Sequence, residues 1–344
     1  MQEIEDQPNS WASSIQEYNI ISKDLNKFFN NHSNIYFVGC GSSYHAGLIG
    51  EYVYNNISTG KKSSCLLSSD ILMYPEETLH YADKNDVYFL ISRTGKTGET
   101  VLVSEVLKKA NVKTISITAY PDSEIIKKCD FGVVLEGSQE KSITATKSMT
   151  SFTLFLLKLI FGFHGKKFDD EDFLNSTGKV FKKIEFYKEI IQKIIYENNF
   201  NKFVFLGSKP FKGLVKESEL KTKEMSTTDT ESNNPLEFRH GHKSILSDKS
   251  LVVIFLSEKG YEYEIKAAGE FKKIGSKVLL IFNKHKLALK KDFYDYSINL
   301  NINLEELSIS IIYTLFGQLI GYYQALKKKL DPSKPRNLEF YVPL

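Results

Sequence analysis

The sequence predicts an α/β protein built from two tandem parallel-sheet domains, and three observations support that prediction. Short runs rich in β-branched and aromatic residues alternate with longer helical patterns along the chain. Such alternation is typical of parallel strands covered by helices. The second half of the chain also repeats features of the first half, and 344 residues are enough for two domains that each bury a core.

Strands are predicted where a short apolar run is bounded by turn-forming residues. In chain order these runs are 35–38, 65–67, 87–91, 114–117, 132–135, 202–206, 250–255, 277–282 and 297–300. Helices are predicted where apolar residues recur at a spacing of three or four. These segments are 11–29, 101–110, 152–163, 179–198 and 304–329.

The two halves match segment by segment, which indicates a duplicated α/β unit. Residues 87–92 resemble 251–257, and residues 113–118 resemble 277–283. One supersecondary unit used twice explains such a repeat economically. The predicted parts of the chain are a helical segment over 1–30, a first domain over 31–170, a second domain over 171–330 and a tail over 331–344.

The composition argues against several functional classes. The formal net charge is only +3, with both signs interspersed, so neither nucleic acid nor an anionic membrane is an expected partner. The 3 cysteines, Cys40, Cys65 and Cys129, are widely spaced and lack a Cys-x-x-Cys motif, which predicts neither disulfides nor a zinc site. No apolar run reaches the ~20 residues of a membrane span, and the acidic N-terminus does not resemble a signal peptide. We expect a cytoplasmic protein with no metal and no cofactor.

The segment after the run 87–91 carries the strongest sign of a binding site. Three hydroxyl residues, Ser92, Thr94 and Thr97, and two glycines lie between this predicted strand and the helix at 101–110. A strand that turns into a helix N-terminus through such residues leaves backbone N–H groups free, and the helix dipole adds partial positive charge. The loop therefore suits a phosphate group. Taken alone, it is equally well explained as the Ser/Thr-rich N-cap of an ordinary helix.

A second turn of this kind follows the first predicted strand, and the two turns together resemble a known family. The sequence Gly39-Cys-Gly-Ser-Ser-Tyr44 is similar to a turn that reads roughly Cys-Gly-Thr-Ser, and Ser92-Arg-Thr-Gly-Lys-Thr97 is similar to Ser-x-Ser-Gly-Glu-Thr. Both are features of the sugar isomerase (SIS) domain family. Its members include the isomerase half of glucosamine-6-phosphate synthase, stand-alone phosphosugar isomerases and aminosugar-phosphate deaminases. The resemblance implies two doubly wound, flavodoxin-like domains.

Three later motifs occur in the order that the family has them. Thr144-Ala-Thr-Lys147 resembles a helix start, Ser-Thr-Lys, that lies near the sugar. Glu217-Ser-Glu-Leu-Lys-Thr-Lys-Glu224 resembles Glu-x-x-Leu-Lys-x-Lys-Glu, and Glu237-Phe-Arg-His-Gly241 resembles Glu-Phe/Leu-Arg/Lys-His-Gly. The matches extend from Ile35 to about Leu338. Each motif is weak alone, but the ordered set is specific.

The resemblance implies a site residue by residue. Glu224 matches the family's proton-shuttling glutamate, His240 matches the histidine of ring opening, and Lys221 lies on the same helix face as Glu224. The residues implied in binding the sugar phosphate are Gly41, Ser42, Ser43, Ser92, Arg93, Thr94, Thr97, Ala145 and Lys147. Because the helix dipole opposes a lysine at a helix start, we also predict that a ligand or a carboxylate offsets the charge of Lys147.

The same residues have simpler interpretations. A Glu–Lys pair three residues apart, such as Lys221 and Glu224, is usually a solvated helix pair. His240 and His242 are compatible with surface residues or with a metal-binding pair. The motif around them favours the catalytic interpretation, in which one carboxylate moves a proton between C1 and C2 and an acid or base opens the sugar ring. The charge of Lys221 would keep Glu224 ionised.

Departures from the family pattern limit the mechanism. In the synthase a tail lysine forms an imine with the ketose, but Phe340 stands at that position here. We therefore predict an enediol(ate) route, and we expect the apolar end of the tail to close over the site. His242 replaces a proline that commonly follows His-Gly. The catalytic cysteine of a glutaminase domain is not matched, since residue 2 is Gln2, so we expect no ammonia production from glutamine.

The sequence thus predicts a phosphosugar isomerase that acts at C1/C2 of a hexose or aminohexose 6-phosphate. An aminosugar-6-phosphate deaminase and a fructosamine-6-phosphate deglycase share the proton shuttle and remain alternatives. A phosphosugar-binding sensor is the non-enzymatic alternative, although it would not need Glu224 or His240. Related domains take the histidine that matches His240 from a neighbouring chain, so we expect a homodimer or a larger homo-oligomer. The apolar segments 152–163 and 304–323 are candidates for the subunit contact.

Overall fold

The computed structural model describes residues 1–29, 32–283 and 291–344. These residues form two compact units. The first unit comprises Gln2–Asp170 together with Leu338–Leu344. The second unit comprises Glu171–Asn337 together with Met1. The described N-terminal helices and the end of the chain therefore both belong to the first unit.

The first unit contains a five-stranded parallel sheet. Its strands are β1 (Ile35–Gly39), β2 (Ser63–Leu67), β3 (Val87–Ile91), β4 (Lys113–Thr118) and β5 (Phe131–Val134). Their order in the sheet is β2-β1-β3-β4-β5, and each neighbouring pair is parallel. Every residue of β3 is buried, as a central parallel strand covered on both faces requires. The predicted α/β class and all the strands predicted in this half are confirmed, with ends shifted by one or two residues.

Helices connect and cover these strands. They are α1 (Gln2–Glu5), α2 (Gln7–Phe29), α3 (Ser42–Ile57), α4 (Ser68–Met73), α5 (Pro75–Thr78), α6 (Gly98–Lys109), α7 (Glu124–Lys128) and α8 (Lys147–Phe163). The helix α8 is buried from Ser148 to Ile160 because it packs against α2 and α3. The predicted buried helix at 152–163 is therefore confirmed, and its apolar residues pack inside the first unit.

The second unit contains a second five-stranded parallel sheet. Its strands are β6 (Lys202–Gly207), β7 (Asp229–Asn233), β8 (Ser250–Phe255), β9 (Lys277–Phe282) and β10 (Tyr296–Asn299). Their order is β10-β9-β8-β6-β7, again with parallel neighbours. Counted from the first strand of each unit, the two sheets have the same order, with β6 in the place of β1 and β8 in the place of β3. This order is that of a flavodoxin-like doubly wound sheet, as predicted.

One strand of this sheet was not predicted from the sequence. The strand β7 reads Asp-Thr-Glu-Ser-Asn, so it lacks the apolar run that marks its neighbours. It lies at the edge of the sheet and pairs only with β6. An edge position does not demand burial of both faces, which is why a polar sequence is tolerated there.

The helices of the second unit include two that replace a single predicted helix. They are α9 (Asp170–Phe181, which begins at the last residue of the first unit), α10 (Ile184–Glu197), α11 (Lys212–Ser226), α12 (Tyr261–Lys273) and α13 (Glu306–Lys327). The single helix predicted over 179–198 is wrong, because the N–H of Lys183 donates to Val180 and closes α9 with a tight turn. The helix α13 is buried along nearly its whole length, like α8. Neither helix supplies the exposed apolar surface expected for a subunit contact.

Three further properties of the described residues bear on the predicted classes. None of their helices combines the length and the apolar character needed to cross a bilayer. Cys40, Cys65 and Cys129 all carry free thiols. Within the same ranges, no group of three or more His, Cys, Asp and Glu side chains is arranged to hold a metal ion.

Candidate active site

The two hydroxyl-rich turns lie side by side in the first unit. One follows β1 and the other follows β3, and these strands are neighbours in the sheet. The strand order reverses between them, so their carboxyl ends flank the crevice in which open α/β sheets bind ligands. Gly41 precedes α3, and Ser42 and Ser43 form its first turn, half-buried. The first turn therefore offers hydroxyls and helix N-terminal N–H groups at this crevice.

The second turn is organised by hydrogen bonds among its own residues. The N–H of Gly95 donates to Ser92 Oγ at 3.1 Å, and the N–H of Lys96 donates to Thr94 Oγ1 at 3.2 Å. The hydroxyls of Ser92 and Thr97 lie 3.1 Å apart. Gly95 has a φ of +61°, and a Cβ there would lie 2.3 Å from Ser123, so only glycine fits.

The N-cap interpretation of this turn is not what the structure contains. Thr97 occupies the N-cap position of α6, but its side chain makes no capping hydrogen bond. Instead its hydroxyl meets Ser92 across the turn. The hydroxyls of Ser92 and Thr97 thus bond to each other across the turn.

The end of the chain packs on this loop. The N–H of Gly98, the first residue of α6, donates to the carbonyl of Val342 at 3.0 Å. A cavity of about 360 Å³ opens beside the contact. Its lining includes Thr94, Lys96, Tyr120, Gln139, Phe340 and Tyr341. A volume of this size is within the range that holds small ligands.

Arg93 holds the chain end in place. Its Nη2 donates to the carbonyl of Phe340 at 3.0 Å, and its guanidinium lies 4.4 Å from the centre of the Phe340 ring. The same side chain donates to the carbonyls of Ser142 at 3.2 Å and Ile143 at 2.8 Å. Because the guanidinium is engaged by protein groups, its structural role is to connect the loop, the chain end and the segment before α8.

The carboxylate of Glu140 organises that segment, and the sequence analysis missed it. Glu140 is buried and lies 3.6 Å from Arg93 Nη1. Its Oε1 accepts the N–H and the hydroxyl of Thr146, both at 2.6 Å, and the N–H of Lys147 at 2.8 Å. Its Oε2 accepts the hydroxyl of Ser148 at 2.5 Å. Glu140 therefore caps α8 from outside the helix, with favourable charge at the helix N-terminus.

The charge of Lys147 is offset by a carboxylate, as predicted. Its Nζ lies 2.7 Å from Asp6 Oδ2. Burial raises the pKa of Asp6, but the hydrogen bonds from Lys147 and Asn9 outweigh burial and hold the pKa below its usual value. Ala145 lies half-buried in the turn just before α8. The N-terminal helices thus support the turn that carries two of the predicted binding residues.

In the second unit, α11 carries the residues predicted to be catalytic. Lys221 Nζ contacts Glu224 Oε2 and lies 3.6 Å from Glu217 Oε1. The side chains of Lys221 and Glu217 are 1% and 0% exposed, whereas that of Glu224 is 18% exposed. The pair is therefore not a solvated surface pair. A Cβ at Gly321 of α13 would lie 3.0 Å from the carbonyl of Lys221, so glycine permits the close packing that buries it.

The predicted histidines lie on a different segment of the second unit. His240 is exposed and follows the one-turn helix Glu237–Arg239. His242 Nδ1 lies 2.8 Å from Glu231 Oε1, and its ring stacks on Phe238. No hydrogen bond or ion pair joins His240 to Glu224 among the described residues. The structure thus brings Lys221 and Glu224 into contact and places His240 on the surface.

Comparison with known proteins assigns the first unit to a family. The sequence model of the SIS domain matches residues 27–161. Residues 27–161 are thus similar to the SIS domain family. The match covers both hydroxyl-rich turns and most of α8, and the second unit repeats the strand order of this SIS domain. The chain therefore contains two tandem α/β domains of the same topology, the first of which is similar to the SIS domain.

The whole chain is similar to larger and to equally long proteins. It is 29% identical to a protein of Acanthamoeba polyphaga mimivirus named as a probable glutamine–fructose-6-phosphate aminotransferase (isomerizing), over 98% of this chain and 56% of that protein. The chain thus spans about half the length of the curated relatives that it matches. It is 28% identical to glucosamine-6-phosphate deaminase of Thermotoga maritima, with a TM-score of 0.77 over 96% of this chain and 100% of that one. Tagatose-6-phosphate ketose/aldose isomerase of Escherichia coli, at 19% identity and a TM-score of 0.85 over 98% and 96% of the chains, shares the fold.

Proposed function

We propose that this chain is an enzyme that moves a proton between C1 and C2 of a hexose or aminohexose 6-phosphate through an enediol(ate). The observation that carries the proposal is the partly exposed carboxylate of Glu224 in contact with the buried ammonium of Lys221. A general base must reach its substrate and must be held in place. Glu224 meets both needs, because Lys221 and the packing of α11 fix it while one side stays open to solvent. Lys221 acts through Glu224 and is a positioning residue in this proposal.

The first unit would bind the phosphoryl group of the substrate. Ser43 lies in the first turn of α3, and Ser92, Thr94 and Thr97 lie between β3 and α6, so the proposed site is made of the two turns and the two helix N-termini that follow β1 and β3. Such a site suits a dianion. Arg93 would contribute through its backbone and its hold on the chain end, rather than by direct charge. These contacts would bind the phosphoryl group of any sugar 6-phosphate, so selectivity among sugars would come from other residues.

Replacing Ser92 and Thr94 together with alanine should weaken binding of fructose 6-phosphate while leaving the fold intact. Each hydrogen bond to a charged group contributes about 1.5–3 kcal/mol, so we expect the affinity to fall roughly 100-fold or more. Isothermal titration calorimetry measures the affinity, and circular dichroism checks the fold. An unchanged affinity in the folded double variant would remove these hydroxyls from the proposed site.

A deaminating reaction is the second candidate, and one observation favours it. The chain matches the full length of a protein named as a glucosamine-6-phosphate deaminase at 28% identity. The same proton shuttle serves isomerisation, deamination of an aminosugar phosphate and cleavage of a fructosamine phosphate. The deciding experiment is incubation with a panel of hexose, aminohexose and fructosamine 6-phosphates, with ketose formation and amine or ammonia release followed separately. Tight binding without turnover of any of them would favour a sensor instead.

We further propose a homodimer or larger assembly in which His240 serves the site of a neighbouring subunit. The exposure of His240, apart from Glu224 on α11, supports this arrangement. Light scattering at micromolar concentration should report at least a dimer. An equimolar mixture of the Glu224→Gln protein and the His240→Ala protein, unfolded and refolded together, should regain about a quarter of the wild-type activity. About half of the dimers then contain one copy of each variant, and one of the two sites in such a dimer has both Glu224 and His240 intact. A fully active monomer, or a mixture as inactive as its parts, would contradict the proposal.

A further inference from the structure

The carboxylate of Glu264 lies at the strand-order reversal of the second sheet. Glu264 is the fourth residue of α12 and is 1% exposed. Its Oε2 accepts the N–H of Ser257 at 2.7 Å, and its Oε1 accepts the hydroxyl of Ser257 at 2.9 Å. The hydroxyl of Ser208 also donates to Oε1. Ser208 follows β6 and Ser257 follows β8, so the carboxylate bridges the carboxyl ends of these neighbouring strands.

This position corresponds to the candidate phosphate site of the first unit. The sheets have the same strand order, in which β6 and β8 stand where β1 and β3 stand. The turns after β3 and β8 also share a hydrogen bond. In each, a glycine three residues after a serine donates its N–H to that serine's Oγ, from Gly95 to Ser92 at 3.1 Å and from Gly260 to Ser257 at 3.0 Å. The two turns are therefore counterparts in topology and in local geometry.

The two crevices differ in what their donors contact. In the first unit, the hydroxyl of Ser92 meets the hydroxyl of Thr97. In the second unit, the hydroxyl and the N–H of Ser257 both donate to Glu264. The next N–H, that of Glu258, donates to a second carboxylate, Glu306 Oε1, at 2.6 Å. The N–H groups of Ser257 and Glu258 and the hydroxyl of Ser257, which could otherwise bind an external anion, thus donate to carboxylates of the chain itself.

We propose that Glu264 is an internal anion that fills the second unit's counterpart of the phosphate site, so that this crevice accepts no sugar phosphate. The inference rests on the proposed function, because it takes the first crevice as a phosphate site. Two physical effects exclude a phosphoryl dianion from the second crevice. The carboxylate occupies the donors, and its negative charge repels a second anion where little solvent screens it.

Equilibrium dialysis with radiolabelled fructose 6-phosphate tests the proposal on the full chain. The wild-type protein should bind one molecule per chain. Replacing Ser208 and Ser257 with alanine should leave the affinity within about twofold, while the matched pair Ser92→Ala and Thr94→Ala should lower it roughly 100-fold or more. A folded Glu264→Ala variant should take up additional inorganic phosphate, because the donors of Ser208 and Ser257 become free.

The outcomes separate this inference from the proposed function. Two molecules bound per wild-type chain would overturn the inference, and so would a tenfold loss of affinity in the Ser208→Ala/Ser257→Ala variant. A folded Glu264→Ala protein with no additional phosphate would overturn Glu264 as the excluding group. If neither pair of alanine substitutions changes binding, the assignment of the loop with Ser92 and Thr94 as the phosphate site is wrong. The proposal that the crevice beside Glu264 binds no sugar phosphate is supported by the same result. The wild-type stoichiometry decides the matter even where a variant does not fold.

Discussion

Replacing Glu224 with glutamine is expected to lower kcat by about 10²–10⁴-fold, the range that a positioned general base contributes. Glutamine keeps the shape of the side chain and its reach to Lys221, but it cannot take a proton. Affinity for fructose 6-phosphate should stay nearly unchanged, since the proposed phosphoryl contacts lie on the first unit. Steady-state kinetics on the active substrate, together with solvent deuterium exchange at C1 or C2, measures the effect.

The same helix offers a matched control for this variant. Glu219 also belongs to α11 and also pairs with a lysine, with its Oε1 at 2.5 Å from Lys223 Nζ. Its side chain is exposed to a similar extent, 22% against 18% for Glu224. Glu219→Gln should therefore leave kcat within about twofold, because exposed helix pairs contribute little. Equal losses in both variants, or none in Glu224→Gln, would overturn the catalytic assignment.

The largest expected effect on stability comes from Glu140. Replacing it with glutamine leaves Arg93 without its carboxylate and turns an amide N–H₂ toward donors at the start of α8. Breaking a buried ion pair by removing one partner costs about 3–5 kcal/mol. Urea unfolding should show this loss as an earlier first transition, and sugar phosphate binding should weaken because Arg93 and the chain end lose their anchor.

A surface pair provides the comparison for Glu140→Gln. Lys128 pairs with Glu105, whose side chain is 52% exposed. Glu105→Gln should leave the unfolding midpoint nearly unchanged, since solvent screens such pairs. If Glu140→Gln unfolds at the wild-type urea concentration, the carboxylate does not organise the segment before α8.

Local patterns were sufficient to predict most of the fold. The strands β3, β8 and β9 were predicted with their observed ends because strands buried on both faces read as unbroken apolar runs. The edge strand β7 was not predicted because its residues need not be buried on both faces, so its sequence is polar. The break between α9 and α10 was not predicted because a tight turn can interrupt a helix without changing the periodicity of its apolar residues.

The candidate site could be predicted only where its residues form motifs. Ser92, Thr94, Lys221 and Glu224 became candidates because they lie in two short motifs that resemble those of the SIS family. The supporting contacts are between residues far apart in sequence, such as Lys147 with Asp6 and Arg93 with Phe340. No local pattern reports such pairs, because they depend on which segments the fold brings together. The contacts of the Arg93 guanidinium with Phe340, Ser142 and Ile143 are of this kind.

The contact of residues 338–344 with the rest of the first unit bears on the order in which the parts of this unit are synthesised. A ribosome produces the first unit's sheet and loops early, then the whole of the second unit, and only afterwards the segment that packs on Gly98 and Arg93. At about 5–20 residues per second, this interval lasts on the order of ten seconds or more. During translation the first unit's sheet and loops are therefore made well before residues 338–344, which pack on them.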